Sequence, residues 1–176
     1  MGKLVCTPAA PVSPGKGRTP DPLHLSVQTA ARHWSRPVPL HMIKLSVGTE
    51  DVEDLRQWHA RRLAETGRVF HRTRSMPRRR EELLAGGSIY WVIKGFVLAR
   101  QRFTGIERTH YSDGSTATLL VLDPDLVRTL PTPHRPFQGW RYLDPAAAPG
   151  DLRDLAGGAA EMPLEMLTEL RQLGLM

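Results

Sequence analysis

Residues 42–47, MIKLSV, alternate cleanly: Met42, Lys44 and Ser46 fall on one side of an extended backbone, Ile43, Leu45 and Val47 on the other. This pattern predicts a half-buried strand. After Gly48 the period becomes helical, with Val52, Leu55, Trp58 or His59, and Leu63 forming a buried stripe ended by Gly67. Thr49 is placed as the N-cap, and Glu50, Asp51, Glu53 and Asp54 load the first turn, where the helix dipole favours acids. A short strand over 69–73 carries His71. Ser75 as a cap and Pro77 in the first turn then announce a short helix over 78–85, stopped by Gly86 and Gly87. The run SIYWVI, 88–93, is apolar on both sides and predicts a central strand.

Lys94-Gly95 is a turn signal, and 96–106 predicts a long returning strand whose alternation puts Phe96, Leu98, Arg100, Arg102 and Thr104 on one face. Ser112-Asp113-Gly114 turns the chain into a further strand over 116–122, completing an antiparallel meander. Pro124, Pro131, Pro133 and Pro136 predict an extended connection, and HRPFQGWRYL, 134–143, returns against the sheet. Near the end, a helix over 163–173 turns Leu164, Leu167, Leu170 and Leu173 or Met166 inward. The elements predict an α+β fold: a mixed, largely antiparallel sheet or open β-barrel of five or six strands, with two or three packed helices. Residues 40–176 form one domain on this reading. Residues 1–39 hold seven of the 15 prolines without a sustained period and predict a disordered leader.

Composition narrows the class. Hydrophobic content of 40% and charged content of 24% are ordinary for a globular domain, and no apolar run approaches the roughly 20 residues of a membrane helix. The single cysteine, Cys6, permits neither an internal disulfide nor a cysteine-based zinc site. The leader has no apolar stretch of secretory-signal length, so a cytoplasmic protein is expected. The net charge of +6 is unevenly spread. Residues 56–108 carry 13 basic against four acidic side chains, whereas residues 109–176 carry five against nine. Segregation of this kind points to a localised anion-binding face rather than a uniformly basic protein.

Several chemistries lack their required spacing. There is no G-x-x-x-x-G-K-[ST] loop, G-x-G-x-x-G turn, G-x-S-x-G elbow or H-E-x-x-H helix, and the acids sit at helix starts and turns rather than as a catalytic pair. No metal or cofactor is called for. What remains is a basic, aromatic and imidazole set: His71, Arg72, Arg74, Tyr90, Lys94, Arg100, Arg102, Arg135, Gln138, Trp140 and Arg141. Guanidinium forks match phosphate oxygens and aromatic faces accept bases, so the set suits an anionic partner, a nucleic acid (RNA first) or a modified nucleotide. An enzyme of phosphorylated or nucleotide substrates is the alternative, with His71 as acid–base group and Arg72, Arg100 and Arg135 as anion clamp. A protein-interaction module with an acidic partner is the third. Convergence of His71, Arg74, Arg100, Arg102, Arg135 and Arg141 on one face is expected, with Arg100 and Arg102 exposed and dispensable for stability.

The words HMIKLSVG, HRTRSMPRRREELLAGGSIYWVIKG, ARQR, LVLDP and RPFQGWRYL, in that order, resemble the bacterial DUF 1489 family from Leu40 to about Met176. That family has no established activity, so the resemblance places the chain without assigning a reaction. The layout of a helix ending in glycine, a strand, a hairpin and a strand is also similar to the PUA and ASCH group of small β-barrels, which bind RNA or modified nucleotides.

Overall fold

The computed structural model describes residues 39–154 and 162–175. The predicted leader lies outside this range but for Pro39, as does Cys6. Seven strands form one open mixed sheet: β1 (His41–Leu45), β2 (Val69–Thr73), β3 (Ser88–Ile93), β4 (Phe96–His110), β5 (Thr116–Leu122), β6 (Val127–Pro133) and β7 (Trp140–Leu143). Helices α1 (Val52–Thr66), α2 (Arg80–Leu84) and α3 (Leu164–Gln172) complete an α+β fold. The strand order is β2-β5-β4-β3-β1-β7, with β6 paired to β4. All pairs are antiparallel except β1 with β3, which run parallel and are joined through α1, β2 and α2.

Strand β4 organises the sheet. Its first half lies between β3 and β6, and its second half leaves them to pair with β5. An extra residue, Leu98, interrupts the pairing with β3, because Trp91 faces Ala99 while Val92 faces Val97. This bulge resets the alternation. Phe96 and Leu98 therefore pack with Trp91, Ala99 and Phe103 in the main core, and Arg100 and Arg102 emerge on the side of Tyr90 and Ser88. The shared face expected for Phe96, Leu98, Arg100 and Arg102 is thus broken. A second irregularity, between Phe103 and Gly105, bends β4 toward β5.

The two faces of the sheet bury different clusters. Met42, Leu55, Ile89, Trp91, Ile93, Phe103, Leu120 and Leu122 belong to the larger one, which α1 covers; Ile43, Tyr90, Val92, Val97 and Phe137 belong to the other. Trp91 is fixed where the curved wings meet: its indole N–H donates to Gln101 Oε1 at 2.9 Å, and the Gln101 amide donates to the Asp123 carbonyl at 3.1 Å. Gln101 is fully buried, so this relay satisfies polar atoms that would otherwise be costly.

Several local details differ from expectation. The α1 cap is Asp51, whose carboxylate accepts from Asp54 N at 2.8 Å, while Asp54 accepts in return from Glu50 N. Thr49 instead bonds the Ser46 hydroxyl. The second helix begins at Arg80 without a side-chain cap, so Ser75 has no capping role. The proline-rich connection contains β6, which pairs with β4 and on its other side makes, as backbone pairing, only the Thr129–Asp151 bridge and the Leu130 N–H to Gly150 bond among the described residues; Pro131 and Pro133 fall after these, near its end. On α3, Leu167 is buried against Leu152, but Met166 and Leu173 are exposed. Gly67 ends α1 in the left-handed conformation as expected, and Lys94 and Gly95 both take positive φ in the β3–β4 turn.

Gly87 is required by a close approach rather than by its dihedral angle. A Cβ there would lie 2.1 Å from the Leu40 carbonyl and 2.5 Å from that of Leu83. The bare backbone lets α2 end directly against the start of β1. Gly87→Ala is expected to destabilise the domain by about 3 kcal/mol or more, read as a lower midpoint in urea; an unchanged midpoint would contradict this packing.

Candidate functional site

Lys44 is the centre of the concave face. The register pairs it with Trp91 on β3 and with Trp140 on β7, so the three side chains stand in a row on the same side of the sheet. His71 reaches this row from the far edge strand β2: its ring meets Trp91 edge-on, with centroids 5.7 Å apart. Curvature of the sheet brings these sequence-distant strands together. Trp91 is also approached by His59 of α1, which lies between it and Trp58.

Two adjoining depressions open here. The first, of about 490 Å³, runs along the β1–α1 loop and is lined by Lys44, Val47, Trp58, Arg61, His71 and Trp91 among others. The second, of about 480 Å³, lies toward the sheet edge and is lined by Lys44, His71, Arg72, Arg74, Tyr111 and Trp140, with Thr73, Ser75 and Gly139. Asp54 is the one acid among all these lining residues. The Arg62 guanidinium covers the Trp58 ring at 4.3 Å and the Phe70 ring at 4.6 Å, and Arg72 lies 5.6 Å from the Tyr111 ring.

This environment disfavours added protons. Burial, then the charges of Lys44 and Arg62 and the neighbouring His59, lower the His71 pKa to about 3. Burial and Arg62 lower that of His59 to about 4, and burial lowers that of Lys44. His71 is therefore a neutral imidazole at pH 7. His59 is 2% exposed and, among the described residues, neither ring nitrogen has a hydrogen-bond partner; the Thr118 hydroxyl is likewise buried without one there. Among the described residues, no group of three or more His, Cys, Asp or Glu is placed to hold a metal ion, and no helix is long and apolar enough to cross a membrane.

The sequence-predicted set is divided. His71, Arg72, Arg74 and Trp140 line the paired depressions. Arg100 does not join them: its Nε and an Nη donate to the two Asp151 carboxylate oxygens, both at 2.6 Å, and the other Nη donates to the Ser88 hydroxyl at 3.2 Å. Arg102 is exposed on the same far side. Tyr90 is 4% exposed against His41 and offers no open ring face. Arg141 covers Phe137 at 5.0 Å, in the cluster on the opposite face. Lys94 pairs with Glu50 and lines a different depression. Arg135 and Gln138 are exposed in the segment between β6 and β7 and line neither depression. The expected convergence fails because the Leu98 bulge sends Arg100 and Arg102 to the other side.

Sequence reasoning passed over Lys44, Arg61 and Tyr111 and gave Trp58 only a place in the buried stripe of α1. A signal for Lys44 was present: alternation puts it on the side of Met42, which is fully buried, so its amine points where a strand's apolar face should be.

The geometry defines a curved α+β domain with an aromatic, cation-lined cleft on its concave face. The chain belongs to the DUF1489 family, described as proteins of unknown function, whose model matches residues 42–176. Comparisons with curated proteins and with solved structures found no match, and the layout likeness to PUA and ASCH barrels gains no support from them.

Two measurements check these assignments. Asp151 is 7% exposed and would keep only its exposed partner Arg153, at 3.2 Å, so Arg100→Ala should cost about 2 kcal/mol; Arg102→Ala should stay within about 0.5 kcal/mol. Equal Tm values for the two variants would contradict this division. For His59, the unfolded chain takes up a proton near pH 6.5 but the folded one not until about pH 4. Its contribution is present above pH 6.5 and is lost as pH falls toward 4, by about 3 kcal/mol in total. His71 adds a slope of the same sign over this window, so His59→Phe should make the urea-midpoint profile shallower without abolishing its slope, and an unchanged slope would contradict it.

Proposed function

We propose that the concave cleft binds a nucleotide or a single strand of nucleic acid, with RNA the expected polymer. The observation that carries this reading is the row formed by Lys44 between Trp91 and Trp140, flanked by Arg61 on one side and Arg72 and Arg74 on the other. Lys44 makes no hydrogen bond or ion pair among the described residues, although burial penalises its charge. A phosphate at the amine would offset that cost, and the partly exposed Trp140 ring beside it supplies stacking area for a base. A neutral imidazole at His71 serves as hydrogen-bond donor and acceptor toward a base or sugar.

The His71 acid–base enzyme is the weaker reading. A general acid or base works best with a pKa near the operating pH, and an imidazole held at about 3 is a weak base with no imidazolium form to act as acid at neutrality.

A labelled single-stranded RNA oligonucleotide, titrated with protein at several salt concentrations, tests the proposal. Three or four cationic contacts predict an affinity loss of roughly 20- to 50-fold between about 50 and 200 mM salt. Arg72→Ala or Arg74→Ala should weaken binding and reduce the salt slope by about 0.7, while Arg102→Ala leaves both unchanged. Undetectable binding at 50 mM salt, or equal losses in Arg102→Ala and Arg74→Ala, would overturn it.

A further inference from the structure

We propose that the cleft holds two consecutive nucleotides of a single strand, with the phosphodiester that joins them seated at Lys44 and His71. This rests on the nucleic-acid reading above and narrows it from a base-binding cleft to a two-subsite reader.

Lys44 and His71 are the two residues shared by the linings of both depressions. Each depression then has its own aromatic and cationic equipment: Trp58 and Arg61 in the first, Trp140, Tyr111, Arg72 and Arg74 in the second. Their volumes, about 490 and 480 Å³, are each within the range of a small-ligand pocket and match one another. Taken along the concave face, the order is aromatic and cation, then the shared Lys44–His71 pair, then aromatic and cation. A single strand presents the same alternation of base, phosphate and base. A mononucleotide would fill one side and leave the other side's aromatic residues unused.

The shared position suits a phosphodiester specifically. The Lys44 amine has no counter-ion among the described residues, and the His71 ring has no hydrogen bond there, so both have free capacity toward an anion between the depressions. Trp91 lies beside them at 2% exposure, edge-on to His71, and so offers no open ring face for a base between the two. At the outer lip of the first depression Val47 is 84% exposed, an apolar side chain positioned to meet a sugar or base edge. Bases must be unstacked from a partner strand to enter either side, so a duplex is excluded.

Calorimetric titration of the full chain with a nucleoside 5′-monophosphate, an RNA dinucleotide phosphorylated at both ends, and a blunt RNA duplex tests this. The dinucleotide should bind at least about ten-fold more tightly than the monophosphate, because its second half binds at high effective concentration. Arg61→Ala and Arg74→Ala, both exposed and on opposite sides of Lys44, should each weaken the dinucleotide by about three- to ten-fold, and Lys44→Gln should weaken it further. The duplex should not bind detectably in the same range. If monophosphate and dinucleotide bind equally, or if one of the two arginine variants has no effect on the dinucleotide, the two-subsite assignment fails while the binding cleft stands. If neither the dinucleotide nor a longer single strand binds, both fail. The arginine variants keep the test decisive even if Lys44→Gln does not fold.

Discussion

Strand β4 has to serve two different neighbours along its length, and one surplus residue makes that possible. With Leu98 out of register, residues before and after it count alternation differently, so the strand contributes Phe96, Leu98, Ala99 and Phe103 to the same core. Without the bulge, the basic half of β4 would point toward the concave face and compete for the space that Trp91, His59 and α1 occupy. The sheet could then not close over Trp91 with the same set of side chains. The concave cleft and the far-side Arg100–Asp151 pair are two consequences of this single irregularity.

A division of labour between the two faces follows. On the far face, positive charge is spent internally: Arg100 holds Asp151 and Ser88, and Arg141 covers Phe137. A buried bidentate pair of this kind fixes the position of the segment that carries Asp151, which also bridges to Thr129 on β6. On the concave face, Lys44 and His71 are half-buried and have no such partners among the described residues. Charge density along the sequence therefore does not locate the cleft, since the arginines of β4 lie on the far face while a lysine from an otherwise apolar strand occupies the centre of the concave one.

Much of the fold was legible because its signals are local. The alternation in 42–47, the apolar run at 88–93, the Lys94-Gly95 turn and the Gly67 helix end each depend on a few neighbouring residues, and each element formed there. The parallel pairing of β1 with β3 was not legible, because it joins residues nearly fifty positions apart through contacts no local pattern announces. The strand β6 was masked by its prolines, whose missing N–H groups matter little at the end of the strand, beyond its bridge to Asp151. Of the site, His71, Arg72, Arg74 and Trp140 could be named from residue type; Lys44, Trp58, Arg61 and Tyr111 become neighbours only once the sheet curves. Arg100 and Arg102 were assigned to the wrong side because a bulge reverses alternation without leaving a glycine or proline to mark it.

On the proposed reading, ligand contact belongs to the concave face and not to the arginine-bearing far face. Imidazole resonances resolve the two directly, since His71 lines the cleft while His41 sits on the far side, edge-on to Tyr90 and accepting from Ser88 N. Two-dimensional NMR of the histidine rings, followed during titration with a short single-stranded RNA, should show the His71 signals moving to saturation with those of His41 unchanged. Movement of His41 with His71 left in place would contradict the account.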